Sequence, residues 1–438
     1  MGKIGAYLSQ LNPPNFLVGL IIFFSATQLG FHFWPLTSLV YGIRIDYLSP
    51  TIYFLDILVI LFLGSDLLQR TVLRRNSRLQ AEKGSVATER TVLMGTLTPI
   101  LLTNLLYSDN PLSTLSWSLH FLLYLFFVVA LFPGFRSLSG LQRSERQIGT
   151  LVATQFENLR IYDLRLILTL SLLFQLVLSL IQVFLGHSVG GLMYYLGERS
   201  VSVGSPAVAL GSFIHEVVLR AYGTFGHPNV LAGWSVVVLL ILLRLRGQSS
   251  TTRLLWLSTT LTASLIFLTQ SRAAALSLFG IIIPFYFFKN FKSRALYFFI
   301  GLLVYWFIYP PLLSPPRSDL SISERLDLQG VSLKAISHFP VFGTGAQASI
   351  STYPTISPEM RLLQPDHNSF TLFLSWFGIF GLLAILYTLR SQFENLRIYD
   401  LRLIVPLLPL LLFDHYLLTS PQGLFIIVLY FFTIRKSE

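Results

Sequence analysis

The sequence predicts an all-α polytopic membrane protein: one integral domain over residues 1–438, about twelve transmembrane helices, and a long, partly helical outer loop at 314–368 before the tenth. Three observations carry this reading. Only 12% of residues are charged against 53% hydrophobic, with a mean hydropathy of +0.66, whereas a soluble domain carries roughly a quarter charged residues. Apolar runs of ~17–22 residues recur along the chain, each long enough to cross a hydrocarbon core of about 30 Å. Basic residues collect in short clusters after alternate runs, the bias expected of cytoplasmic loops.

The runs lie near 16–34, 51–69, 91–107, 115–133, 166–185, 229–245, 254–270, 273–288, 295–313, 369–389, 403–418 and 421–434. The first follows Lys3 and the turn-forming Asn12-Pro13-Pro14 and has no small-residue cleavage site, so it reads as a retained helix and not as a signal peptide. Every even-numbered run ends in a basic cluster: Arg70 to Lys83, Arg136 to Arg146, Arg244 to Arg253, Lys289 to Arg294, Arg390 to Arg402, and Arg435 with Lys436. Both termini are therefore expected on the cytoplasmic side of the membrane. The net charge of +11 is spent on orientation and on contact with anionic membrane lipids, which argues against a nucleic-acid partner. The chain has no cysteine, which excludes disulfides, thiolate metal sites and cysteine nucleophiles.

Thirteen residues, QFENLRIYDLRLI, occur identically at 155–167 and 392–404. Both copies fall on the expected cytoplasmic side before an outward-going run, in a pattern that suits an interfacial helix. No chemistry is assigned to them.

The chemistry-bearing residues collect on the opposite face. In LRAYGTFGHPNVLAG, Pro228 suits the first turn of a helix and His227 its cap, while Arg220 lies close by. Free N–H groups beside a guanidinium make an anion site, although a cap with a snorkelling Arg is the plainer alternative. Arg272 separates runs seven and eight at the outer membrane face, where a charge is costly without water, a partner or an anion. Arg325 belongs to a short helix expected from about 321 to 337, left through Pro340, Gly343 and Gly345. In PDHNSF, His367 is the side chain suited to proton transfer near neutral pH, with Asp366 or Asn368 orienting it or capping run ten. Asp414 and His415 mark the outer end of run eleven, facing the same cavity or closing a helix end. Arginines and histidines gathered on one membrane face are what a phosphate-bearing lipid would need.

These segments resemble the O-antigen ligase and O-antigen polymerase superfamily of bacterial integral-membrane glycosyltransferases. The resemblance rests on GTFGHPNVLAG, TQSRAAALSL, an Arg followed by FPVFGTG, DHNSF followed by WFGIFGLL, and DHYLLTSPQG, in that order over roughly 215–425. It implies a twelve-helix enzyme that takes a glycan from an undecaprenyl-diphosphate-linked donor on the outer face of the membrane. The glycan passes to a hydroxyl on a glycan, lipid or protein acceptor. By the resemblance, Arg272 and Arg325 hold the diphosphate and His367 activates the acceptor. Arg220 and Asn229 line the same cavity, and His227, Asn368, Asp414 and His415 complete the candidate substrate-binding set. No metal and no cofactor is implied, and the outer face shows no acidic cluster or histidine pair at ligand spacing in the sequence. SRAAALSL departs from the pattern in carrying Ala where relatives often have Gly or Trp. The competing reading is a transporter or flippase for a small anion or lipid-linked glycan, and its best support is Asp56 and Asp66 within run two.

Overall fold

The computed structural model describes residues 13–76, 88–131, 161–206, 208–213, 216–245, 252–282, 318–358, 362–393 and 404–434. Its principal helices are α1 (Pro13–Phe24), α2 (Phe54–Asn76), α3 (Thr88–Leu106), α4 (Pro111–Leu131), α5 (Ile161–Leu185) and the single turn α6 (Leu192–Tyr195). They continue as α7 (Pro228–Arg244), α8 (Thr252–Thr269), α9 (Arg272–Ile282), α10 (Ser318–His338), α11 (Ser349–Ile356) and α12 (Ser369–Phe393). The chain closes with α13 (Leu408–Phe413), α14 (Tyr416–Thr419) and α15 (Pro421–Ile434). Run nine, the basic clusters at 136–146 and 289–294, residues 155–160 of the first repeat copy and residues 394–403 of the second lie outside the described residues.

Local sequence explains where several helices begin. Asn110, His227, Asn368 and Ser420 each precede a helix and accept a backbone N–H from its first turn. Three of these caps are followed at once by proline, Pro111, Pro228 and Pro421, whose missing N–H costs nothing at the first helical position. The apolar faces then pack into one continuous core. α7 lies at its centre against α8, α9 and α15, and every residue from Leu231 to Leu243 is buried. A helix apolar all round belongs inside a bundle. α1, α2, α4 and α5 complete the wall, through the contacts α1–α2, α2–α4, α4–α15, α8–α5 and α1–α5.

Among the described residues three helical stretches are long and apolar enough to cross a membrane: Pro111–Leu131, Leu164–Leu185 and Ser369–Tyr387. Shorter apolar helices, among them Pro228–Arg244, Arg253–Thr269 and Pro421–Thr433, surround them. This is the make-up of a helical membrane protein, but the structure does not reproduce twelve full spans. Run eleven is broken by Asp414 and His415 into α13 and α14, and run one ends as a helix at Phe24.

The described residues are also not wholly helical. Six short strands form three antiparallel ribbons: β1 (Gly30–His32) with β4 (Thr51–Tyr53), β2 (Leu39–Val40) with β3 (Ile43–Arg44), and β5 (Leu210–Phe213) with β6 (Glu216–Leu219). These segments leave the apolar runs, and their backbone groups find partners across ribbons instead of along helices. A second, smaller core joins Val40, Ile45 and Leu48 to Leu328, Val331 and Ala335 of α10, to Ile350 and Tyr353 of α11, and to Leu362. It fixes α10 and α11 as a cap over the bundle, and the cap carries the chain into the loop before α12.

Candidate active site

The loop that holds His367 is set by a backbone lock. α12 is interrupted at Gly378, with φ 59° and ψ −165°, so the carbonyls before the break turn outward. Ser375 and Trp376 carbonyls accept the N–H groups of Thr344 and Gly345 at 2.8 and 3.0 Å, while Ile379 and Phe380 donate to Pro340 and Val341 at 2.9 and 3.0 Å. Asn104 of α3 seals the joint, donating to the Trp376 carbonyl at 2.6 Å and accepting Ala346 N–H at 2.9 Å. FPVFGTG and WFGIFGLL are thus two halves of one structural clasp.

Beyond the clasp, Asp366 is buried and accepts the Asn368 N–H at 3.1 Å and the Thr371 hydroxyl. Burial pushes its carboxyl up, and those hydrogen bonds oppose the shift. Asn368 caps α12, its side-chain carbonyl accepting N–H from Phe370 and Thr371 at 2.9 and 3.3 Å. Both flanking residues are therefore spent on the turn, and His367 projects between them.

His367 Nδ1 lies 3.8 Å from Asp414 Oδ1, too far for a hydrogen bond, and this buried nitrogen has no hydrogen-bond partner among the described residues. Asp414 is held firmly from behind. Its Oδ2 accepts Asn229 Nδ2 at 2.9 Å, and its backbone carbonyl accepts the Ser369 hydroxyl at 2.7 Å. Asn229 Oδ1 in turn accepts an Arg220 guanidinium N–H at 2.6 Å, and Arg220 Nε donates to the Thr269 carbonyl at 2.6 Å. Arg325 donates to the Phe413 carbonyl at 3.3 Å, one residue before Asp414. Burial works against the Asp414 charge, but His367 and Arg325 nearby outweigh it and hold the carboxyl well below the usual carboxylate range.

His415 stacks obliquely on His367 with ring centroids 5.0 Å apart, and its Nδ1 pairs with the Thr419 hydroxyl at 2.8 Å. Burial pushes its imidazole down to about 3, so it is neutral at working pH. His227 opens onto the cavity and caps α7, its Nδ1 accepting Asn229 N–H at 3.1 Å. Surrounding protein and the Arg220 charge push it below the ordinary imidazole value.

A cavity of about 650 Å³ unites the site, lined by His227, Asn229, His367, Asp414 and His415 together with Tyr47, Arg199, Gln347 and Gln364. Its size falls within the roughly 300–1,000 Å³ of ordinary ligand pockets. The three arginines singled out in the sequence are not among the lining residues. Arg220 and Arg325 brace the wall through Asn229 and Phe413, and Arg272 is half-buried at the first residue of α9, three positions after the carbonyl that Arg220 holds. Arg199 and Tyr47 escaped the sequence reading, since a lone loop Arg and a loop Tyr carry no periodic or motif signal. Ligating atoms of His367, Asp414 and His415 all lie within 4.8 Å of one another, a grouping that a small ion could use. Sequence spacing shows no such group; the fold makes one.

Residues 257–386 match the family model described as O-antigen ligase. The matched segment runs from α8 to α12 and contains Arg272, Arg325, His367 and the whole clasp, while Arg220, Asn229, Asp414 and His415 reach the same place from outside it. The match supports the O-antigen ligase and polymerase superfamily and, with it, a glycosyltransferase-type membrane enzyme of polysaccharide biosynthesis. No curated protein and no solved structure matches the chain.

Proposed function

We propose that this protein transfers a glycan from an undecaprenyl-diphosphate-linked donor to an acceptor hydroxyl on the outer face of the bacterial cytoplasmic membrane, in a single domain of about twelve spans with both termini inside. The observation that supports it best is the arrangement Arg220–Asn229–Asp414 aimed at His367, whose Nδ1 is unpartnered at the edge of the shared cavity. A carboxylate fixed 3.8 Å behind an imidazole stabilises the imidazolium that forms when it takes a proton. The acceptor oxygen attacks the anomeric carbon of the donor as His367 removes its proton. The bond from that carbon to the diphosphate oxygen breaks, and undecaprenyl diphosphate departs with the electron pair. Direct attack inverts the anomeric centre. Arg272 and Arg325, behind the cavity wall, would stabilise the departing charge through their field, and the cavity residues would position the two saccharides.

The structure bears on one of the two acids behind the transport reading. Asp56 is not an open ion site, because its carboxylate already accepts from Tyr53 N–H, Tyr124 hydroxyl and His120. The test of glycan transfer is His367→Ala in the native host, read as the size distribution of lipid-linked glycans. Single repeat units are expected to accumulate for a polymerase and full-length chains for a ligase. An unchanged profile would exclude His367 as the base.

A further inference from the structure

A second histidine–carboxylate pair faces the same cavity. Asp56 is the third residue of α2, where an acid receives the N–H of the residue before the helix, and it accepts Tyr53 N–H at 2.7 Å. The Tyr124 hydroxyl and His120 Nε2 complete its set at 2.8 and 3.0 Å. With Nε2 directed at the carboxylate, the other ring nitrogen of His120, Nδ1, has no hydrogen bond among the described residues and is left for a ligand hydroxyl, which can both donate and accept. A helix cap alone requires Asp56 but not a histidine that lines the cavity.

The surroundings indicate what His120 would bind. Ser116 and Trp117 on the same helix, and Tyr53 at 5.4 Å between ring centroids, line the cavity beside it and offer a hydroxyl and aromatic surface, with Asp46 the acid that also lines the cavity near Tyr53. Aromatic contacts continue toward the other pair, Tyr47 lying 5.7 Å from His415 and His415 5.0 Å from His367. Arg220 and Arg325 brace the opposite end, at Asn229 and Phe413. Glycan transfer brings two saccharides into one cavity. The end braced by guanidinium groups suits the diphosphate-bearing donor, and the aromatic end, where the Asp46 and Asp56 carboxylates would repel a phosphate, suits a hydroxyl-rich acceptor.

We infer that His120, oriented by Asp56, is the hydroxyl-binding residue of a second subsite that holds the acceptor saccharide. This rests on the transfer reading above, but its test does not. His120→Gln places an amide nitrogen where Nε2 was, keeping the donation to Asp56 and losing the hydrogen bond at Nδ1. His120→Phe loses both. The probe is oligosaccharide released by mild acid from the native host's envelope glycans, titrated against the full-length protein in lipid nanodiscs and followed by tryptophan fluorescence, to which Trp117 reports from the cavity wall. Saturable binding by the wild type, weakened about tenfold in His120→Gln with an unchanged melting temperature, is the expected result, the fold-change being that of one lost hydrogen bond. His120→Phe should bind as weakly and also melt lower. Identical titrations for wild type and His120→Gln, or no saturable binding by the wild type, would overturn the subsite and leave His120 as a clamp between α2 and α4. Transfer measured separately in membranes tells the two ideas apart: binding without transfer retains the subsite and removes the enzymatic reading, and transfer without His120-dependent binding does the reverse.

Discussion

Asp414 touches more of the candidate site than any neighbour: Asn229 on one oxygen, His367 beyond the other, and Ser369 on its carbonyl. Asp414→Asn keeps the shape and removes the charge that steadies an imidazolium, so the turnover number should fall by roughly ten- to a thousandfold with the acceptor KM little changed. A rise in KM with turnover intact would make Asp414 a binding residue instead. Its depressed folded value also fixes the sign of a pH effect. The charge contributes stability above the ordinary carboxylate range and is lost as pH falls toward the folded value, so the melting-temperature gap between wild type and Asp414→Asn should narrow progressively below about pH 4. Much of this was legible, because histidine, arginine and acidic side chains at the ends of apolar runs conflict with their surroundings and attract notice. What could not be read was which of them meet. Asn368 and Asp366 flank His367 in sequence but turn to the helix cap, while its carboxylate comes from the distant Asp414. His120 was passed over as one polar residue inside an apolar run.

At the scale of elements, hydropathy located the helices but not their interruptions. The run at 369–389 reads as continuous, yet Gly378 breaks it, since an apolar Trp-Phe-Gly-Ile-Phe sequence gives no sign that one carbonyl must turn outward to meet another loop. Gly378 has a backbone conformation that essentially only glycine adopts, and a Cβ there would lie 2.3 Å from the Val341 carbonyl oxygen. Gly378→Ala should cost about 1–3 kcal/mol in backbone strain alone, with a further loss from that contact. The expected outcome is a lower melting temperature and a loss of glycan transfer although no cavity residue has changed. Full activity at an unchanged melting temperature would show that the clasp does not position His367. Run eleven fails in the same manner: its apolar letters predict one span, but a buried Asp414 and His415 with their hydrogen-bond partners are compatible only with a break between α13 and α14.

For the whole molecule, the decisive expectation is sidedness, since the proposed chemistry needs the cavity, the ribbons and the α10–α11 cap on one side and the basic clusters on the other. The sequence carries this through charge alone, and the structure adds that all the candidate side chains gather at the same end of the bundle as the ribbons. That makes orientation testable without reference to any substrate. Because the chain has no cysteine, single substitutions in the native background report cleanly. Leu192→Cys, at a position 78% exposed and expected on the outer face, should react with a membrane-impermeant maleimide in intact spheroplasts, and Lys436→Cys only after permeabilisation. The reverse pattern would place His367 and Asp414 in the cytoplasm, where a lipid-linked glycan already flipped outward cannot reach them. A polymerase or ligase of this kind would then be excluded even if the same dyad proved catalytic, because the geometry of the site constrains what reaction it performs and the membrane decides which substrates it meets.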